Sequence, residues 1–169
     1  LSILLVNLNL ADLLMGVYLI VIAIADEVYR GTFALYETEW LTHPACQVAG
    51  FLSLLSAQVS ALLVCAVTVY CVATLQCPSA VPLGLRCLSE PSVAGIACII
   101  VWIISLVVVT IPLMTSHLVL HGRTGICLPL PISRDTVGGR EYFLGVMVFN
   151  MMLYALTSAG QVYIIKSLW

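Results

Sequence analysis

Charged residues are scarce in this chain. Of its 169 residues only 8% are Asp, Glu, Lys or Arg, while 62% are hydrophobic. Soluble domains carry about one quarter charged residues, and a soluble fold could not cover this much apolar surface. Lys and Arg together number 6 and the formal net charge is -2, so there is no basic stripe for a nucleic acid. Also missing are a phosphate-cradling glycine loop and a nucleophile elbow. His43, His117 and His121 fall in loops or at the ends of apolar runs. The last two are four residues apart but have no evident third ligand. Neither an enzyme nor a metal centre is expected. No internal repeat or low-complexity tract breaks the chain, and the first apolar run has no basic segment ahead of it and contains Asn7, Asn9 and Asp12. It does not read as a signal peptide, and the chain reads as truncated at both ends.

What is present is apolar sequence in long, nearly charge-free runs. No charged residue occurs between Glu39 and Arg86, Asp12 is the only one in 1–25, and 91–122 and 142–165 have none. Each run can hold the roughly 20 apolar residues that a bilayer-spanning helix needs. Spans are expected at about 2–25, 45–75, 93–115 and 142–168. They are read as helices because a stretch such as 97–109 is apolar on nearly every side, whereas barrel strands alternate over about 10 residues. The expected fold is an all-α transmembrane bundle with membrane lipid as its surroundings. Connections are expected at 26–44, 76–92 and 116–141, the middle one broken into turns by Pro78, Pro82 and Pro91.

Four spans put both termini and the middle connection on one side. That side carries Arg86 and Lys166, against Arg30, Arg123, Arg134 and Arg140 on the other. The positive-inside rule therefore mildly favours cytoplasmic first and third connections. Cysteines offer a competing argument. Cys46 opens the second span and Cys127 lies in the third connection, so the two share a side, which would have to be oxidising if they pair. Such a pairing closes a loop worth about 4 to 5 kcal/mol on chain-entropy grounds. Cys77 with Cys87, on the opposite face, is the rival pair. Cys65, Cys71 and Cys98 lie within spans and read as small packed residues.

Asp12 is the one carboxylate within a span, costing roughly 2.5 to 3.5 kcal/mol at a central position on insertion scales. It calls for a partner or an ion. Asn9 lies about one turn earlier, and Ser56 and Ser60 of the next span could supply hydroxyls. A cation or proton site and a plain helix-to-helix contact are equally compatible with these residues. Asn7 is a buried amide in need of partners and Trp102 an indole with one hydrogen bond to donate. Simple packing is the default role for both. Pro112 is expected to kink or end the third span.

Taken in order, these residues resemble the rhodopsin-like G-protein-coupled receptors over essentially the whole chain. Asn7-Leu-Asn-Leu-Ala-Asp12 is similar to that family's second-helix signature. Trp40 followed by Cys46 resembles its first outer loop and third-helix start, and Trp102 with Pro112 its fourth helix. Within the family, Met15-Gly-Val-Tyr-Leu19, Tyr29-Arg-Gly31 and Gly125-Ile-Cys-Leu-Pro129 resemble the leucine-rich-repeat receptors, the relaxin-receptor branch above all.

The resemblance implies that 1–169 is part of a seven-transmembrane domain, its second to fifth helices, in the plasma membrane. It implies a Cys46–Cys127 disulfide on the extracellular side, which overrules the mild charge signal. It also implies a sodium-linked site at Asp12 and Ser60, a peptide or protein hormone bound through a large extracellular region, and a heterotrimeric G protein as partner. One departure weighs against the last. Where the family ends its third helix with an acidic, a basic and an aromatic residue, this chain has Tyr70-Cys71-Val72. With both charges gone, a non-signalling or decayed homologue is the alternative to a hormone receptor, and a transporter or channel subunit using Asp12 is the other rival.

Overall fold

The structure is a computed structural model and describes residues 2–76, 91–114, 127 and 139–169. Five helices are present among them: α1 (Ser2–Val28), α2 (Phe33–Thr42), α3 (Pro44–Gln76), α4 (Pro91–Met114) and α5 (Gly139–Leu168). Four of these are long and apolar enough to cross a membrane, namely α1, α3, α4 and α5. Their limits differ from those expected by at most three residues, the largest differences being Val28 against 25 and Gly139 against 142. The bundle is all-α, and no strand occurs among the described residues.

The fifth helix, α2, corrects the reading of 26–44 as a plain connection. Its ten residues contain neither Gly nor Pro, and Phe33, Trp40 and Leu41 turn toward one cluster with Ala25, Cys46 and Cys127. A search for 20-residue spans passes over so short an element. Two residues punctuate it. Gly31 has φ +77, a left-handed conformation that L side chains resist, and this tight turn separates α1 from α2. His43 precedes Pro44, which pushes it into extended backbone. It sits at φ -67, ψ 137, and its Nδ1 accepts the backbone N–H of Ala45 at 3.2 Å. The imidazole thereby caps one of the orphan donors at the start of α3, and Pro44 occupies the first helical position, where its missing N–H costs nothing.

α1 buries Leu4, Ala11, Tyr18 and Ala25, every seventh residue along its length. A seven-residue repeat keeps one stripe against a partner crossing at a shallow angle, and that partner is α3. The main core joins Leu4 and Ala11 of α1 to Leu55, Val59 and Leu63 of α3 and Cys98 of α4, with Phe51, Val101 and Trp102 packed around them. Many buried positions are small, including Ala11, Ala49, Ala94, Cys98 and Ser105. In lipid, where tails are as apolar as Leu, close backbone approach through such residues is what brings helices together. Large apolar side chains point outward instead, as at Leu13, Ile20, Ile99, Met152 and Leu156. That inversion suits a hydrocarbon surrounding and would be costly in water.

Candidate functional site: polar contacts across an apolar bundle

In a chain this apolar, a polar side chain within a span is costly unless it finds a partner inside the protein, because the bilayer core offers none. Asn7 and Trp102, 95 residues apart, find each other. The Trp102 indole N–H donates to Asn7 Oδ1 at 3.0 Å, while Asn7 Nδ2 donates to the Ile3 carbonyl at 2.9 Å. The amide is thus used at both ends and ties α1 to α4.

Asp12 lies on the next turn of α1. Ser60 of α3 donates its hydroxyl to Asp12 Oδ1 at 3.3 Å. Ser56 does not reach the carboxylate; its hydroxyl donates to the Ala11 carbonyl at 2.8 Å. The reason is register. Ser56 is buried and faces the backbone of α1, whereas Asp12 and Asn9 both lie on its exposed side. A carboxylate and a hydroxyl side by side are oxygen donors of the kind a hard cation takes.

Two further contacts involve Gln58, Asn150 and Tyr142, for which the sequence suggests no role. Gln58 of α3 is 6% exposed, and its Oε1 accepts from Asn150 Nδ2 of α5 at 3.1 Å. The same Asn150 nitrogen also donates to the Val146 carbonyl at 2.9 Å. The other contact explains Pro112, whose backbone stays within the last turn of α4. Proline has no N–H to give to the carbonyl four residues back, which is that of Val108. The Tyr142 hydroxyl of α5 donates to this same Val108 carbonyl. Pro112 frees an acceptor, and Tyr142 fills it.

At the end of α3 where the chain enters it, Cys46 and Cys127 are joined, with Cα atoms 5.3 Å apart and a sequence separation of 81. Both are buried beside Trp40 and Ala25. Around them Tyr29 packs on Trp40 with ring centroids 5.8 Å apart and on Tyr36 at 6.0 Å, and His43 stacks on Trp40 at 6.1 Å. At the opposite end Tyr70, Cys71 and Val72 are all half-buried. Cys65 and Cys98 are buried and free, and Cys71 is free and half-buried. Among the described residues no group of three His, Cys, Asp or Glu could hold a metal ion. Cys77, Cys87, His117, His121 and the 125–129 motif apart from Cys127 lie outside the described residues.

Gly160 of α5 marks a close approach between helices. A Cβ built there would come within 2.5 Å of the Thr68 methyl and 3.5 Å of a Val72 methyl. Thr68 cannot readily turn away, because its hydroxyl donates to the Val64 carbonyl at 2.8 Å.

No family model matches the chain. Among curated proteins it is 32% identical over 166 residues to the G-protein coupled receptor GRL101 of Lymnaea stagnalis, covering 96% of this chain and 14% of that receptor. It is 30% identical over 167 residues to human Relaxin receptor 1, covering 94% of this chain and 21% of the receptor. A probable glycoprotein hormone G-protein coupled receptor of Anthopleura elegantissima is 25% identical over 168 residues, 92% of this chain and 17% of that protein. The chain thus spans about a fifth or less of the length of these relatives. It is a homologue of the rhodopsin-like G-protein-coupled receptors that include the relaxin and glycoprotein-hormone receptors.

Proposed function

We propose that the chain forms the second to fifth helices of a seven-helix hormone receptor in the plasma membrane. In this reading an extracellular region outside 1–169 binds a peptide or protein hormone, and the bundle passes that event to a heterotrimeric G protein by rearranging its helices. The observation that carries the reading is similarity over nearly the whole chain to proteins named as relaxin receptors. The geometry is compatible with it. The disulfide beside the aromatic cluster ties the third connection to one end of the bundle, the end assigned to the extracellular side. Tyr70-Cys71-Val72 lies at the other, the cytoplasmic end. The test is agonist-dependent G-protein activation by the full-length receptor in cells. Ion flux through the reconstituted protein, abolished by Asp12→Asn, would instead support the channel or transporter reading.

Asp12 and Ser60 are proposed to hold a sodium ion that favours the inactive arrangement. Oxygen chemistry supports this, and replacing sodium by choline should raise agonist affinity in the parent receptor but not in Asp12→Asn. A second reading rests on Tyr70-Cys71-Val72, which has no charge at the positions where the family couples. It makes the protein a non-signalling homologue that binds hormone and activates nothing. Hormone binding without G-protein activation in the same cells would support it.

A further inference from the structure

α5 is attached unevenly. Toward its first half it carries two hydrogen bonds to neighbours, Tyr142 to the Val108 carbonyl of α4 and Asn150 to Gln58 of α3. In an apolar medium such bonds have no water to replace them when they break. Toward its second half, Gly160 is where the neighbouring helix leaves no room for a side chain, since a Cβ there would come within 2.5 Å of the Thr68 methyl. The spacing is matched on the two helices: ten residues separate Gln58 from Thr68 on α3, and ten separate Asn150 from Gly160 on α5. The helices therefore run parallel and in register between the hydrogen-bonded pair and the glycine contact, about 15 Å along the axis. A side chain at 160 would strike Thr68, two residues before Tyr70, and would reach Val72 at 3.5 Å, so the spacing of α3 and α5 at that point is set beside the Tyr70-Cys71-Val72 segment.

We propose that Gly160 is a contact switch that sets the separation of α3 and α5 beside Tyr70-Cys71-Val72, with Asn150 and Gln58 as the positioning residues that hold it in register. Seated, the glycine lets the two helices touch. Unseated, α5 turns about its hydrogen-bonded half and leaves that end of α3 open. The functional part of this proposal rests on the receptor reading above. The structural part does not.

The glycine contact supplies its own assay. The Cβ built on Gly160 lies 3.8 Å from the Thr68 Cβ, the separation typical of a disulfide. In the full-length protein, Thr68→Cys with Gly160→Cys should cross-link under mild oxidation, read by mass spectrometry of the digested chain. Adding Asn150→Leu should slow cross-linking roughly 3- to 10-fold, the range one hydrogen bond allows. Exchanging the amides, Gln58→Asn with Asn150→Gln, should restore most of the rate. Folding of each variant is checked by the Cys46–Cys127 link in the same digest. Failure of the pair to cross-link in protein that carries that link overturns the proposal, as does a rate unchanged by Asn150→Leu.

For the switch, the oxidised pair should lose agonist response and regain it on reduction, and an undiminished response in the oxidised protein overturns it. A parent receptor that activates no G protein sinks the signalling reading and the switch with it, a double-cysteine variant that stays silent after reduction in a responding parent overturns the switch alone, and the cross-linking rates decide the contact by themselves.

Discussion

Trp102 and Asn7 hold each other across the bundle, the indole N–H 3.0 Å from the amide oxygen, and Asn7 spends its own N–H on the helix it belongs to. Removing either partner leaves the other with an unmet polar group in an apolar layer. Asn7→Leu and Trp102→Phe should each destabilise the protein by about 1 kcal/mol. The coupling energy in a double-mutant cycle should be about 0.6 kcal/mol, and not above about 1.7, the range found for interhelical hydrogen bonds in membranes. Denaturation in mixed micelles would measure it, and zero coupling would mean that the pair is only packing.

Tyr142 and Pro112 should be coupled although they do not bond to each other. Tyr142→Phe leaves the Val108 carbonyl without its partner, at a cost of about 1 to 3 kcal/mol. Pro112→Ala supplies a backbone N–H that can take the same acceptor. The double variant should therefore be more stable than Tyr142→Phe alone, as judged by thermal melting in detergent. Equal melting temperatures would disprove this account of the proline.

Ser105 is fully buried, at 0% exposure, and its hydroxyl has no hydrogen-bond partner among the described residues. Ser105→Ala removes an unmet polar group while keeping the small side chain that lets helices approach. Stability should be unchanged or rise by up to about 1 kcal/mol, in contrast to the losses expected at Asn7 and Tyr142. A clear loss on the same melting assay would mean that the hydroxyl has a partner after all.

The Cys46–Cys127 bond bridges a sequence separation of 81, and on loop-entropy grounds it is worth about 4 to 5 kcal/mol. Cys46→Ser, Cys127→Ser and the double variant should all lose a similar amount of stability, and reductant should affect only the parent protein. If the double variant were much less stable than either single one, the two thiols would be contributing separately.

The spans were legible because a charge-free run of about twenty residues has the length and the polarity of a bilayer crossing, and their ends shift by at most a turn. The need of Asp12 for a hydroxyl or an ion was legible, but not which of Asn9, Ser56 and Ser60 stands beside it; family resemblance alone singled out Ser60. Partnerships between distant residues were not legible. Asn7 and Trp102 each stood out, but nothing in the sequence says that residues 95 apart meet, and the residues alone left two disulfide pairings open until family resemblance chose one. Gln58 and Asn150 carry a usable signal, an amide in each of two apolar runs, but each amide calls for a partner without naming it. Tyr142 had the subtlest signal, the carbonyl four residues before Pro112. The short helix α2 is not legible because ten residues do not reach across a membrane, nor is Gly160, because a glycine reports a close approach only once its neighbour is known.

Every seventh residue of α1, from Leu4 to Ala25, faces inward, and this regularity leaves an ambiguity. Slide the helix by one repeat, about 10.5 Å, and an apolar stripe again faces inward, but with Tyr18 in the place of the fully buried Ala11. Residue size opposes that slip. The hydrogen bonds oppose it as well, since Asn7 would lose Trp102 and Asp12 would lose Ser60. The few polar groups of this bundle thus act as the teeth of a key, working with the small residues to decide which alignment is the native one.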